Sequence, residues 1–276
     1  MNKLFFTIEC NTNMHVGSGK ANYGVVDQLV QRDPTSNNPV IHASSLKGAI
    51  KEYCHHNKYN NMVKVFGSTK VNGKTDHENS QIGDYKFFDA HLLALPVRCD
   101  KNAYVHITCP QIIDHLASQF SESGLATELN HLSAVFNSVG QEINALSFSE
   151  KFRDATIEDF DVKATVYRQE PGKASILTAN ITKLFKYDFV VVRDSIFNRL
   201  SNDLHLPVIA RNYLENGESQ NLWYEQVVPR LSRFWSMVFY SDTDCLFEPV
   251  LFDKPLVQIG ANGSVGYGYC SFSKMV

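Results

Sequence analysis

Residues 40–54 read VIHASSLKGAIKEYC, and this stretch decides the fold because it predicts a short strand that runs directly into a helix. Apolar side chains recur on one face of that helix, at Leu46, Ile50, Tyr53 and Cys54. Ser44 or Ser45 is expected to cap the helix, because a hydroxyl can accept from the N–H groups that the first turn leaves unpaired.

The first turn of this helix also has the groups that a phosphate requires. Unpaired N–H groups, two serine hydroxyls and Lys47 lie together there, and Lys51 follows one turn later. On the pattern alone, an ordinary capped helix with a surface lysine is favoured over a phosphate site. Gly48 costs such a helix about 1 kcal/mol relative to alanine, and the close approach of another backbone would explain it.

Strand and helix patterns alternate along the rest of the chain. A strand is expected at residues 4–9, and residues 256–272 predict a strand, a glycine-rich turn and a strand. Further strands and helices are expected at 84–99, 103–108, 110–120, 125–136, 189–197 and 234–241. The polar residues 55–86 are interpreted as an insertion with a short helix near 62–66. We expect one α+β domain over residues 1–276, with a ferredoxin-like core.

Composition excludes several classes of protein. With 43% hydrophobic and 20% charged residues, the chain has the composition of a globular protein. A net charge of −3 excludes nucleic-acid binding by bulk charge, so any such binding requires a local basic surface. The six cysteines form no Cys-x-x-Cys pair, which disfavours a structural zinc site. Without an apolar run of membrane length or a signal-peptide core, we expect a cytoplasmic protein with reduced thiols.

Two glycine-rich segments could contact a ligand. Residues 15–24, HVGSGKANYG, are not a P-loop, because Met14 occupies the first glycine position and Ala21 follows Lys20. Asn22 excludes the dinucleotide fingerprint as well. Residues 260–268, GANGSVGYG, would let the main chain pass close to a ligand, and an ordinary glycine-rich turn is an equally good interpretation.

Three further motifs contain candidate catalytic groups. GVVDQLVQRD places Asp27 in the same loop region as His15, and such a pair could bind a divalent ion or transfer a proton. A lone loop aspartate is more often simply solvated, and the same caution applies to Glu225 in LWYEQVVPR. The pair His55 and His56 is more typical of a surface than of a ligand site.

Taken together, these strings resemble the backbone RAMP subunit of type III-B CRISPR effector complexes, the fourth subunit of the Cmr module. The matching strings are HVGSG, GVVDQLVQRD, PVIHASSLKGAIK, DAHLLALPVR, VHITCP, LWYEQVVPR and QIGANGSVGYG, which span residues 15–268. The resemblance implies an RRM-like palm with a thumb hairpin. It also implies copies stacked head to tail along a CRISPR RNA together with other Cmr subunits, and target RNA cut at regular intervals.

The resemblance also implies roles for individual residues. Asp27 matches the catalytic aspartate and would hold Mg²⁺ or Mn²⁺, while His15 and Glu225 are supporting candidates. The residues expected to contact RNA are Ser44, Ser45, Lys47, Lys51, Gly260, Asn262, Gly266 and Tyr267. The chain departs from the family at two positions: Gln226 replaces a second glutamate, and Tyr267 stands where Arg or Lys is common.

Two other functions remain open at this stage. One is an RNA-binding scaffold that does not cut; the retention of Asp27 argues against it. The other is a stand-alone ribonuclease that processes precursor CRISPR RNA. The position of the thumb is also open. Residues 208–222, with RNYLENGESQN at their centre, are preferred, and the insertion at 55–86 is the alternative.

Overall fold

The computed structural model describes residues 1–19, 24–68, 81–120, 124–158, 162–169, 172, 175–253 and 256–275. Residues 20–23 of the first glycine-rich segment and 69–80 of the polar insertion lie outside the described residues. The chain forms two compact units, one of residues 1–91, 207–230 and 234–276, the other of 92–206 and 231–233.

Strands and helices are mixed throughout, which confirms the α+β prediction. The strands are β1 (Asn2–Cys10), β2 (Val40–Ile41), β3 (Lys86–Phe87), β4 (Ala90–Cys99), β5 (Asn102–Thr108), β6 (Ala145–Ser147), β7 (Ala164–Val166), β8 (Phe189–Val192), β9 (Val208–Glu215), β10 (Glu218–Gln226), β11 (Arg233–Tyr240), β12 (Leu256–Gln258) and β13 (Tyr269–Lys274). The helices are α1 (Ala43–His56), α2 (Met62–Phe66), α3 (Pro110–Gln119), α4 (Gly124–Ser138), α5 (Ala179–Phe185), α6 (Asp194–Ser201) and α7 (Glu248–Phe252).

The first unit is built on neighbouring strands in the order β12, β13, β1 and β11, with β3 paired to β11. β1 and β13 are antiparallel, with Cys10 opposite Cys270. Helix α1 packs against β12 and β3 and buries Leu46, Ile50 and Cys54, as its apolar spacing predicts. Tyr53 is only partly buried, because it lines an open groove beside the helix.

The second unit contains strands in the order β4, β5, β8, β6 and β7. β5 and β8 are parallel, with His106 opposite Phe189, whereas β6 and β8 are antiparallel. Helices α3 and α4 pack on each other, and α3 begins at Pro110, as predicted. No helix in the described part of the chain is long and apolar enough to cross a membrane.

β9 and β10 form a separate two-stranded hairpin, which we call the hairpin. Its turn is Asn216-Gly217, and both residues have positive φ, as a two-residue hairpin turn requires. Nearly all of its side chains up to Tyr224 are exposed, so neither face packs on a core. The segment preferred as the thumb, residues 208–222, lies within this hairpin, which continues through Gln226.

The cap of helix α1 differs from the expectation. The helix begins at Ala43, so Ser44 and Ser45 lie inside the first turn, and the N-cap residue His42 makes no side-chain cap bond. Instead, the N–H of Ala43 donates to Oδ1 of Asp89, at 2.6 Å. A carboxylate distant in sequence therefore takes the place of the expected serine, and local pattern could not reveal it.

Asp89→Ala should lower the free energy of unfolding by about 1 kcal/mol, because it removes the acceptor for a helix N–H group. Ser44→Ala, on the exposed side of the same turn, should change it by less than about 0.5 kcal/mol. Urea denaturation of both variants measures the two effects. A larger loss for Ser44→Ala than for Asp89→Ala would show that the serine, and not the aspartate, caps the helix.

Candidate nucleic-acid interface

Asp27 is fixed at the base of the hairpin by a pair of hydrogen bonds to one residue. Its N–H donates to the carbonyl of Tyr224 at 3.1 Å, and its Oδ2 accepts from the N–H of Tyr224 at 2.7 Å. The next residue, Gln28, forms a parallel bridge with Glu225. The loop thus runs along β10, and the exposed Asp27 carboxylate is held in place by backbone groups.

His15 lies beneath this loop and links two segments. Its side chain is 2% exposed, and Nδ1 lies 2.7 Å from the carbonyl oxygen of Gln226, so this nitrogen carries the proton. The carbonyl of His15 accepts from the N–H of Ala261 at 2.8 Å. His15 therefore connects the end of the hairpin to the C-terminal glycine-rich loop, residues 260–268, which we call the glycine loop.

The Glu225 carboxylate is 3% exposed, and both of its oxygens accept a hydrogen bond. Oε1 accepts from Nε1 of Trp223 and Oε2 from Nδ2 of Asn262, both at 2.8 Å. A guanidinium nitrogen of Arg211 lies 3.9 Å from Oε2. A buried carboxylate requires such partners, so Glu225 ties the hairpin to the glycine loop.

Arg211 completes this link and brings a cation to the glycine loop, whose own residues include no Lys or Arg. Its guanidinium lies 5.3 Å from the ring centre of Tyr267 and 3.4 Å from Oδ1 of Asn262. The resemblance leads one to expect Arg or Lys at position 267, where this chain has Tyr267, and the hairpin places Arg211 over that ring. The positive charge is thus supplied by another segment, which pattern reading of the glycine loop alone could not reveal.

Gln226, the other departure, is fully buried, and its amide oxygen accepts from the N–H of Val30 at 3.3 Å and lies 3.5 Å from Arg32. A neutral amide suits this position because it can accept these bonds without burying a charge.

Gly260 and Gly266 in the glycine loop need to be glycine for different reasons. A Cβ on Gly260 would lie 2.2 Å from the His15 carbonyl oxygen, and its φ is +87°. Gly266 has a φ of +84° and open space where a Cβ would be. Gly260 is therefore required by close approach to this chain's own backbone, whereas Gly266 is required only by its conformation.

A groove of about 780 Å³ runs along α1, from Ser44 in its first turn to His56 in its last. The residues predicted to contact RNA that line it are Ser44, Ser45 and Gly260. The Ser45 hydroxyl already accepts from the side-chain amide of Gln31 at 3.1 Å. A Cβ on Gly48, which also lines the groove, would meet nothing within 4 Å, so the expected backbone approach at Gly48 is wrong. Instead, Gly48 keeps the groove wide.

Lys47 and Lys51 do not line the groove and lie with Lys86 in a basic cluster. Partial burial lowers the pKa of Lys47, and the neighbouring ammonium groups of Lys51 and Lys86 lower it further. The Lys47 ammonium lies 5.7 Å from the ring centre of Phe87. Sequence reasoning missed Lys86 because it falls at the end of the polar insertion, and only the pairing of β3 with β11 brings it to this cluster.

The fold is that of CRISPR-complex subunits of known structure. A chain of the type III-B Cmr-beta complex bound to cognate target RNA aligns with a TM-score of 0.76 and 23% identity, covering 100% of this chain and 98% of that one. Oligomeric Cmr4 from Pyrococcus furiosus aligns with a TM-score of 0.68 and 21% identity, covering 99% of each chain. Residues 7–271 match the RAMP superfamily, and the chain belongs to it.

Two curated relatives are similar along nearly their whole length. The CRISPR system Cmr endoribonuclease Cmr4 of Pyrococcus furiosus is 27% identical, over 94% of this chain and 90% of that protein. The CRISPR system CMR subunit Cmr4 of Saccharolobus solfataricus is also 27% identical, over 95% of this chain and 93% of that protein.

Gly260→Ala should destabilise the protein clearly more than Gly266→Ala. Both substitutions place a side chain at positive φ, which costs about 1–2 kcal/mol, but only the first creates a backbone clash. The difference between their free energies of unfolding, measured by urea denaturation, isolates the clash. Equal losses would mean that the glycine loop does not lie against His15.

Proposed function

We propose that this chain is the backbone subunit of a type III-B CRISPR effector complex in the cytoplasm, which holds CRISPR RNA and cuts complementary target RNA. Its partners are the two RNAs, further copies of itself and other Cmr subunits. The observation that carries the proposal is the exposed Asp27 carboxylate, fixed by two hydrogen bonds at the base of an exposed hairpin. The full-length similarity to a protein named as an endoribonuclease supports it.

RNA is held through its phosphates and sugars, since guide sequences vary. The groove beside α1 is lined by Ser44 and Ser45 of the first helical turn, which can contact a phosphate, whereas the N–H of Ala43 is taken by Asp89. The basic cluster of Lys47, Lys51 and Lys86 lies on the same helix and the adjacent β3. Asn262, Gly266 and Tyr267 in the glycine loop face the same RNA, with Arg211 above the Tyr267 ring.

The hairpin, Val208–Gln226, is the thumb that displaces one nucleotide of the guide. It is preferred over the polar insertion because its strands are exposed on both faces and its base carries Asp27. An element that has no core of its own to cover is free to enter a nucleic-acid duplex.

Cleavage proceeds by attack of a target 2′-hydroxyl on the adjacent phosphorus. The new bond from the 2′-oxygen forms as the bond to the 5′-oxygen breaks, which leaves a cyclic phosphate and a 5′-hydroxyl. Asp27 accepts the proton of the attacking hydroxyl, and the leaving oxygen takes a proton from water. Because the carboxylate is held by Tyr224, its orientation does not depend on the RNA.

A divalent ion, Mg²⁺ or Mn²⁺, fits this site only in part. Among the described residues, Asp27 belongs to no group of three or more His, Cys, Asp or Glu side chains close enough to hold a metal. Mg²⁺ is often bound by one carboxylate together with substrate phosphates, so Asp27 would hold it jointly with the RNA. The ion would act as a Lewis acid on the phosphate.

His15 and Glu225 act as positioning residues. Both are buried: Nδ1 of His15 donates to the Gln226 carbonyl, and the carboxylate oxygens of Glu225 accept from Trp223 and Asn262. They therefore keep the hairpin, the Asp27 loop and the glycine loop in one arrangement.

Asp27→Asn should leave guide and target binding unchanged and slow target cleavage by about 10²–10⁴-fold, because it removes the proton acceptor and keeps an oxygen for the Tyr224 N–H. Cleavage rates of the complex reconstituted with RNA measure this effect. Asp114→Asn, which changes an exposed carboxylate on α3, is the matched control and should cut normally. Wild-type cleavage by Asp27→Asn would refute the catalytic role and favour a scaffold.

Gly48→Trp should weaken RNA binding at least about tenfold, because the indole would occupy the open groove. Gly48→Ala is the control: it adds one methyl group, stabilises the helix by about 1 kcal/mol and should bind RNA normally. Filter binding of CRISPR RNA to the assembled complex measures both variants. Equal RNA affinities of the Gly48→Trp and Gly48→Ala variants would show that RNA does not bind in this groove.

Glu225→Gln should retain cleavage within about tenfold of wild type, since the amide oxygen can still accept from Trp223. Glu225→Ala should lower RNA affinity more than the rate of the bound complex, because the hairpin loses its link to the glycine loop. Single-turnover rates at saturating RNA separate the two effects. If Glu225→Gln lowered the cleavage rate as much as Asp27→Asn does, Glu225 would be a catalytic residue.

A further inference from the structure

Three potential metal ligands lie together on the last turns of α1, far along the helix from Ser44. Glu52, His55 and His56 occupy positions i, i+3 and i+4, and their ligand atoms all lie within 4.8 Å of one another. Oε1 of Glu52 is 3.0 Å from Nε2 of His56. The spacing places both imidazoles beside one carboxylate, as in the Glu-x-x-His pairs of helical metal sites.

We propose that Glu52, His55 and His56 bind a divalent transition metal ion, with Zn²⁺ as the best match. Two imidazole nitrogens and one carboxylate oxygen suit Zn²⁺, whereas Mg²⁺ prefers oxygen ligands. Ligand atoms about 2 Å from a common ion lie roughly 3.3 Å apart, so the exposed side chains need only small rotations to close on it.

The proposed metal site lies at the edge of the groove beside α1. Glu52 and His56 line the groove that also contains Ser44 and Gly48. Three protein ligands leave a tetrahedral ion one open position, as in catalytic rather than structural zinc sites. A water molecule or a phosphate oxygen in the groove can occupy that position. The site is separate from Asp27, which is not among the groove residues.

Isothermal titration of Zn²⁺ into the full chain tests the proposal. A Cys99→Ser background is used throughout, because Cys99 is a partly exposed thiol that could bind zinc by itself. One Zn²⁺ should bind, and Glu52→Gln and His56→Ala should each weaken it at least about tenfold. His131→Ala, at an exposed histidine of α4, is the matched control and should leave the affinity unchanged.

Each outcome decides the question because the substituted side chains are exposed, and exposed substitutions usually change stability little. Equal zinc affinity in the wild type and in both cluster variants would overturn the proposal. If the wild type binds Mg²⁺ and the His56→Ala variant does not, the choice of Zn²⁺ is overturned. Loss of zinc binding in the two cluster variants, with retention in the control, would establish the site.

Discussion

The buried carboxylate of Glu225 is the interaction on which the candidate interface depends. It is almost fully removed from solvent, so its charge is tolerated only while Trp223, Asn262 and Arg211 surround it. Two of these partners come from the hairpin and one from the glycine loop, more than thirty residues later in the chain. The hairpin, the glycine loop and, through Tyr224, the Asp27 carboxylate are thereby held as one assembly.

Exposure and burial divide the candidate catalytic residues. Asp27 is exposed and oriented by backbone bonds, which suits a group that must meet a substrate. His15 and Glu225 are buried and already bonded, which suits residues that maintain the arrangement. Under the proposed function, the different surroundings of these three residues suit Asp27 to the chemical step and His15 and Glu225 to support.

Much of the fold could be predicted because its signals are local. The apolar spacing of α1, the proline at the start of α3 and the alternation in β1 each predict an element that forms. The contacts that could not be predicted join segments distant in sequence. Asp89 accepts from the first N–H of α1, Arg211 lies over the Tyr267 ring, and Lys86 lies beside Lys47. The role of Gly48 could not be predicted for another reason. A sequence does not show whether a glycine allows another backbone to come close or keeps a groove open, as Gly48 does.

The position of β13 has a consequence for how the protein is made. This strand lies between β12 and β1, and it pairs residues such as Phe6 and Lys274. During synthesis, β1 is made before β13 and stays without this neighbour until β13 has been translated. Such long-range pairing slows folding, and until β13 is made the edge of β1 that it covers stays unpaired and open to aggregation.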